Sequence, residues 1–334
     1  MQLNEIWFLI VGVLFIGYFV LDGFDFGVGM AIPFISKDDI DRRVIINTIG
    51  PVWDLNETWV LVAGASLFAA FPEWYASLFS GFYLALLIML AALIGRGVAF
   101  EYRGKGETQR WKNTFDWMIF IGSAVPALLW GVAFSNIVQG VPLNEQHIYT
   151  GNLFTLLNPY GLLGGLVTLS LFFTYGLVFI TLKTEGDVRD RARVLANKVG
   201  LVAVLLAAGF LIWTLIAHFT VIGLLLSAIA AVTLILALVL NALHREGWSF
   251  VNLVITVIAA VGSLFAALYP NVLPSTTNPA YSLTIQNASS TDYTLTVMTW
   301  VVVFSLPLVL AYQAWTYWVF SKRVSRKSIP NKAH

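Results

Sequence analysis

Apolar residues dominate this chain in runs of about twenty, the length that a helix rising 1.5 Å per residue needs to cross a hydrocarbon layer. The runs predict spans at 6–34, 51–71, 76–100, 115–138, 160–182, 199–218, 222–243, 250–269 and 296–320. The sixth and seventh are separated only by Ala217-His218-Phe219-Thr220. A single helix over 199–243 would be roughly 66 Å long, about twice the hydrocarbon thickness, so a hairpin is required there. The pattern thus predicts an all-α integral membrane protein with nine transmembrane helices. No separate soluble domain stands out, and 1–334 reads as one polytopic membrane domain.

Charge placement orients the spans. All nineteen Lys and Arg fall on one set of alternating segments. Lys37, Arg42 and Arg43 lie in the 35–50 loop. Arg96, Arg103, Lys105, Arg110 and Lys112 lie at the end of span three and in the loop after it. Lys183, Arg189, Arg191, Arg193 and Lys198 flank the 183–198 loop, Arg245 follows span seven, and Lys322, Arg323, Arg326, Lys327 and Lys332 lie in the tail. The N-terminal residues and the loops at 72–75, 139–159, 219–221 and 270–295 hold none. By the positive-inside rule the N-terminus is outside and the C-terminus cytoplasmic. The first apolar run lacks the basic start of a cleavable signal and is expected to remain as span one. The outer segments 139–159 and 270–295, rich in Asn, Thr, Ser and Pro, read as surface loops, with a partner-facing cap as the alternative.

Composition narrows the chemistry. Hydrophobic residues make up 58% and charged residues 11% of the chain, too few charges for an ordinary soluble domain. The net charge of +1 argues against a nucleic-acid partner, and the lack of Cys removes thiolate chemistry. Haem inside a helix bundle needs axial side chains such as His or Met. His147 lies in an outer loop, His218 and His244 at helix ends, and His334 at the terminus. No metal is expected.

Ionisable residues inside spans are costly and mark function. Asp22 and Asp25, three apart, share a face of span one roughly 24 Å from its outer end. Gly23 and Gly27, extended by Gly29, let another backbone come close. Span two opens with Pro51-Val52-Trp53-Asp54-Leu55-Asn56-Glu57-Thr58-Trp59. Its acids fall at a depth similar to Asp22 and Asp25, with Asp54 expected to face Asp25 across the hairpin. Acids so placed can relay protons from the cytoplasm, or act as helix-start acids favoured by the dipole. Arg96, Glu101 and Arg103 near the end of span three, with Asp116 at the start of span four, read as a network joining those two helices, with a direct proton-path role as the alternative. A secondary transporter, with acids in Gly-broken helices, is the competing class.

The segments Asp22-Gly23-Phe24-Asp25-Phe26-Gly27, Gly50-Pro51-Val52-Trp53-Asp54-Leu55-Asn56-Glu57-Thr58-Trp59 and Gly95-Arg96-Gly97-Val98-Ala99-Phe100-Glu101-Tyr102-Arg103 resemble subunit II of cytochrome bd-type quinol oxidases in order and spacing. Ser80-Gly81-Phe82-Tyr83, Trp111-Lys112-Asn113, Gly151-Asn152-Leu153-Phe154, Asn158-Pro159-Tyr160-Gly161 and Met298-Thr299-Trp300 extend the resemblance over nearly the whole chain. It implies two four-helix bundles plus one peripheral helix in the bacterial cytoplasmic membrane. The implied reaction is reduction of O2 to water by membrane quinol. Haem b, haem d and the quinol-oxidising loop would belong to a partner, subunit I, which this haem-free chain stabilises. The resemblance associates Asp54 with proton delivery; the residue pattern itself adds Asp25 to that pathway and Asp22, Trp53, Asn56, Glu57, Trp59, Arg96, Glu101, Arg103 and Asp116 in support. It leaves room for a structural quinone and for a small accessory membrane subunit. Longer relatives differ in the loop between spans six and seven, which here is almost absent.

Overall fold

A computed structural model describes residues 2–329, so Lys332 and His334 lie outside the described residues. The chain is almost entirely helical. Helix α1 (Leu3–Ile35) is followed by a short amphipathic helix, α2 (Asp39–Ile49), which Asp38 starts by accepting a hydrogen bond from the Asp41 N–H at 2.8 Å. Then come α3 (Trp53–Ala70), α4 (Pro72–Gly81), α5 (Tyr83–Tyr102) and α6 (Gln109–Gln139). A single turn, α7 (Leu153–Leu156), precedes α8 (Pro159–Lys183), α9 (Asp187–Ala217), α10 (Val221–Ala242), α11 (Glu246–Leu268) and α12 (Asp292–Val319). Side-chain caps from Thr108, Asn158, Thr220 and Thr291 satisfy N-terminal amides of α6, α8, α10 and α12.

Eight of these helices among the described residues are long and apolar enough to cross a membrane. Helix α3 is not one of them, because Asp54, Asn56 and Glu57 occupy its first two turns. The continuous span expected over 76–100 is instead broken at Phe82 into α4 and α5. At the break the Tyr149 ring fills the place a side chain on Gly81 would take. Helix α9 starts well before residue 199, since Val188, Ala192 and Ala196 continue its buried stripe at helical spacing into the expected loop.

Helices α1, α3, α5 and α6 are linked into one group by packing on α1 or α6, and α8, α9, α10 and α11 into another, with an equally extensive junction where α1 and α6 pack on α8. The backbone expected to approach the glycines of α1 belongs to α8: a Cβ on Gly27 would lie 1.9 Å from the Phe172 carbonyl oxygen and 2.6 Å from the Gly176 nitrogen. Helix α12 lies outside both groups. It buries only Leu295, Gln313 and Thr316 and rests on α1 and α3.

The connections meet at two ends. At one end, Val141 exchanges backbone hydrogen bonds with Pro274 and Thr276, a two-stranded pairing joins β1 (Asn271–Leu273) to β2 (Leu283–Thr284), and Ser290 N–H reaches the Ala70 carbonyl. The 139–159 and 270–295 segments therefore form one joint cap, and Trp7 near the N-terminus bonds the Leu295 carbonyl beneath it. At the other end, Arg103 and Lys112 bind Asp39, Arg191 and Arg326 bind Asp41, and Arg326 also binds Asp38. The basic loops and the tail are thus mutually adjacent.

Candidate functional site

The buried centre of the first helix group is built around Arg96. Its guanidinium is wholly buried, and both terminal nitrogens lie 3.2 Å from Asp22 Oδ1 on α1, itself 0% exposed. Glu57 Oε2 of α3 stands 3.7 Å from the same guanidinium. The plane of Arg96 packs over the rings of Phe26 and Phe100, 4.6 and 5.6 Å from their centroids, contacts that suit a planar cation out of water. Helix α6 can approach closely because residue 122 is Gly, whose Cβ would fall 2.7 Å from that of Arg96.

Asp25, one helical turn from Asp22 and also fully buried, takes a 2.7 Å hydrogen bond from Asn56 Nδ2. Asn56 Oδ1 in turn accepts from Gln313 Nε2 and from the Tyr317 hydroxyl, both at 2.9 Å. Trp59 donates to Gln313 Oε1 at 3.4 Å, and its ring lies against α1 at Gly17, where a Cβ would clash at 2.4 Å. Asp22 Oδ2, Asp25 Oδ1 and Glu57 Oε2 are buried and accept no hydrogen bond from the protein. Three acids therefore face one cation in a space that side chains alone leave incompletely satisfied.

The structure places the expected site residues unevenly. Asp22, Asp25, Asn56, Glu57, Trp59 and Arg96 come together as described. Asp54 does not face Asp25: it is exposed on the outer side of α3. Residues two apart on a helix point roughly 200° apart, so the face that presents Asn56 to Asp25 turns Asp54 outward. Trp53 is half-buried and packs on Phe100, ring centroids 5.1 Å apart. Arg96 takes no part in joining α5 to α6 by an ion pair. That link is made by Arg103, whose Nε lies 2.5 Å from Asp116 Oδ1, with Arg42 on the other carboxylate oxygen at 2.8 Å. Glu101 is exposed and pairs with neither arginine, because it points away from the face that carries Arg96 and Arg103.

The match to the family described as cytochrome bd terminal oxidase subunit II runs from residue 3 to residue 320. The chain belongs to this family. It is 42% identical over 333 residues to a protein of Bacillus subtilis named cytochrome bd ubiquinol oxidase subunit 2, covering 98% of each chain. It is 39% identical over 370 residues to the cytochrome bd-I ubiquinol oxidase subunit 2 of Escherichia coli K12, covering 99% of this chain and 98% of that one. Its fold is similar to a chain in the structure of the bd oxidase from Geobacillus thermodenitrificans, with a TM-score of 0.79 at 18% identity over 96% of this chain and 99% of the other. A subunit II of a cytochrome bd oxidase is part of an oxidoreductase, and the family decides against the transporter alternative. It is a multi-pass membrane protein.

Within this bd-type subunit the described histidines do not fit a haem. His147 lies in the cap and bonds the Tyr281 carbonyl, His218 ends α9, and His244 follows α10. Among the described residues no group of three or more His, Cys, Asp or Glu is placed to hold a metal. The pattern of apolar runs missed three polar participants. Gln313 and Tyr317, four apart on the apolar α12, signal one polar stripe aimed inward. Tyr18, four residues before Asp22, continues that acid's face and receives a hydrogen bond from Trp130 at 3.1 Å.

Proposed function

We propose that this chain is the haem-free subunit II of a cytochrome bd-type quinol oxidase of a bacterial cytoplasmic membrane, which couples quinol oxidation to reduction of O2 to water. In this reading it crosses the membrane nine times, α3 included, with the N-terminus outside and the C-terminus in the cytoplasm. The alternation of basic loops and the meeting of those loops at one end support that topology. The described part of the chain is then one membrane domain, two four-helix groups with α12 peripheral.

Haem b and haem d belong to the partner, subunit I, and this chain steadies it. Room remains for a structural quinone and a small accessory subunit in the assembled complex. The chain's own chemistry is proton handling. Asp54 receives protons at the subunit boundary, and Asp25, with Asp22, Glu57 and Arg96, forms the buried acid cluster behind it. The observation that carries this reading is the excess of carboxylates: buried Asp22 and Asp25 and half-buried Glu57 around the single Arg96. One guanidinium balances one carboxylate, so the others need protons or water to remain in low dielectric. Asp54 supports it from outside, since an exposed acid on a helix whose other exposed residues include Leu61, Val62 and Phe68 calls for a polar neighbour beyond this chain.

The test is quinol-dependent oxygen consumption per haem. Asp54→Asn keeps size and hydrogen bonding but cannot take up and release a proton, so activity per haem falls several-fold while haem content holds. Asp54→Glu retains more activity than Asp54→Asn. Full activity per haem in Asp54→Asn would end the relay reading; lowered haem content with unchanged activity per haem would make Asp54 an assembly contact.

A further inference from the structure

Helices α8, α9, α10 and α11 close around a cavity of about 150 Å³ that the acid cluster does not reach. Its walls are aromatic and aliphatic, with Phe19 and Trp130 on the side of the first helix group and Leu171, Phe210, Leu234 and Val257 around the rest. Three hydroxyls reach the lining, and each donates elsewhere. Ser135 bonds the Gly131 carbonyl at 2.6 Å, Thr168 the Ala127 carbonyl at 2.6 Å, and Thr256 the Asn252 carbonyl at 2.8 Å. With those protons committed to helix carbonyls and the rest of the lining apolar, the space favours an apolar guest over water.

Access is lateral. Ala207 and Ala208 of α9 and Ala230 and Ala231 of α10 line the cavity wall together, and Ala208 and Ala231 are exposed. Four small side chains there leave the wall thin where the helices meet the lipid. Cavities of about this size lined by Leu, Ile and Phe stay empty of water and take up benzene or xenon.

We propose that this cavity is a binding site for small apolar gas molecules, the chemical class that includes dioxygen, admitted from the bilayer between α9 and α10. The guest is held by dispersion contact with the aromatic and aliphatic walls. A lipid chain is a poor guest, because the volume ends at the packed rings of Phe19, Trp130 and Phe210. The site is independent of the acid cluster and of the proton reading above.

Xenon is the probe. The assembled complex, pressurised with xenon and imaged structurally, is expected to show xenon between Leu171, Leu234 and Val257. Ala230→Leu, which grows into the space from a buried position, abolishes the xenon signal with haem content unchanged. Should Ala230→Leu fail to assemble, Ala260→Val on α11 is expected to reduce the signal in an intact complex. Absence of xenon at pressure, ordered water in the cavity, or a lipid or isoprenoid chain filling it would overturn the proposal, as would xenon that persists unchanged in both variants.

Discussion

Asn56 gives Asp25 its hydrogen bond at 2.7 Å and at the same time fastens the peripheral helix α12 to the core. All four hydrogen-bonding positions of the Asn56 amide are used: Nδ2 donates to Asp25 and to the Leu21 carbonyl, and Oδ1 accepts from Gln313 and Tyr317. Replacing it orphans partners on two helices at once. Asn56→Leu, close in shape, is expected to cost about 1–3 kcal/mol for each buried group left unpaired. Tyr317→Phe, which removes one donor and leaves Gln313 in place, costs less. Thermal unfolding of the purified complex orders these variants; equal melting temperatures for Asn56→Leu and the parent would show that α12 is held by something else.

Gly27→Ala places a methyl group where α8 has backbone, 1.9 Å from the Phe172 carbonyl oxygen. Backbone cannot swing aside as a side chain can, so α1 and α8 must separate and the Phe24, Tyr175 and Phe179 rings packed across the crossing lose contact. Overpacking of this kind costs about 1–3 kcal/mol or more. Gly64→Ala is the control, since nothing lies within 4 Å of its Cβ position. The expected result is lower yield and melting temperature for Gly27→Ala alone.

These variants separate what was legible in the sequence from what was not. Apolar run length located the long helices but ran α4 and α5 together and began α9 late, while the spacing of Gly23, Gly27 and Asp22, Asp25 indicated a close-packed face and a buried acid face, because both follow from helical periodicity within one segment. Side-chain direction on α3 was not legible from the same rule. Asp54, Asn56 and Glu57 point three ways, and only the position of α1 decides which of them meets Asp25. Gln313 and Tyr317 lie more than 250 residues from their partner, and a polar pair in an apolar helix names no partner by itself. Helix α2 escaped notice because it is short and polar on one side, a pattern that run length does not detect.

The cysteine-free chain suits single-cysteine labelling. Glu145→Cys and Ala280→Cys should react with an impermeant reagent from outside intact cells, and Lys105→Cys, Asp190→Cys and Lys327→Cys only after the membrane is opened. Because Arg103, Arg191 and Arg326 bind acids in one connected set of loops, the last three move together. One reversed label would overturn the nine-span topology.

Asp39 links pH to the stability of the basic end. Burial opposes ionisation of its carboxyl, but hydrogen bonds from Lys112 and Arg103 outweigh it and hold the group below the usual carboxylate range. A folded value below the unfolded one, which is about 3.9, means stability that is present above that pH and lost as pH falls through the folded value. Asp39→Asn should therefore lower the melting temperature near neutral pH, and the difference from the parent should vanish in strong acid. A difference that stays constant with pH would assign the effect to shape.

Arg96 and Asp22 offer the sharpest separation of structure from chemistry, since neither side chain has any exposed surface. Arg96→Ala leaves Asp22 as an uncompensated buried charge beside Glu57, and breaking a buried pair from one side costs about 3–5 kcal/mol. Assembled complex, read as haem per milligram of membrane, should fall sharply. Arg96→Lys keeps the charge but loses the two-nitrogen grip on Asp22 Oδ1, so recovery is partial. Arg96→Gln combined with Asp22→Asn removes both charges and keeps a hydrogen-bonding pair, so assembly should return toward the parent level. Two outcomes then diverge in oxygen consumption per haem. If the cluster only ties α1 to α5, the double variant works as fast as the parent once assembled. If its acids carry protons, removing one acid and the cation that organises the others leaves a complex that assembles and turns over slowly, and that second outcome is the one expected.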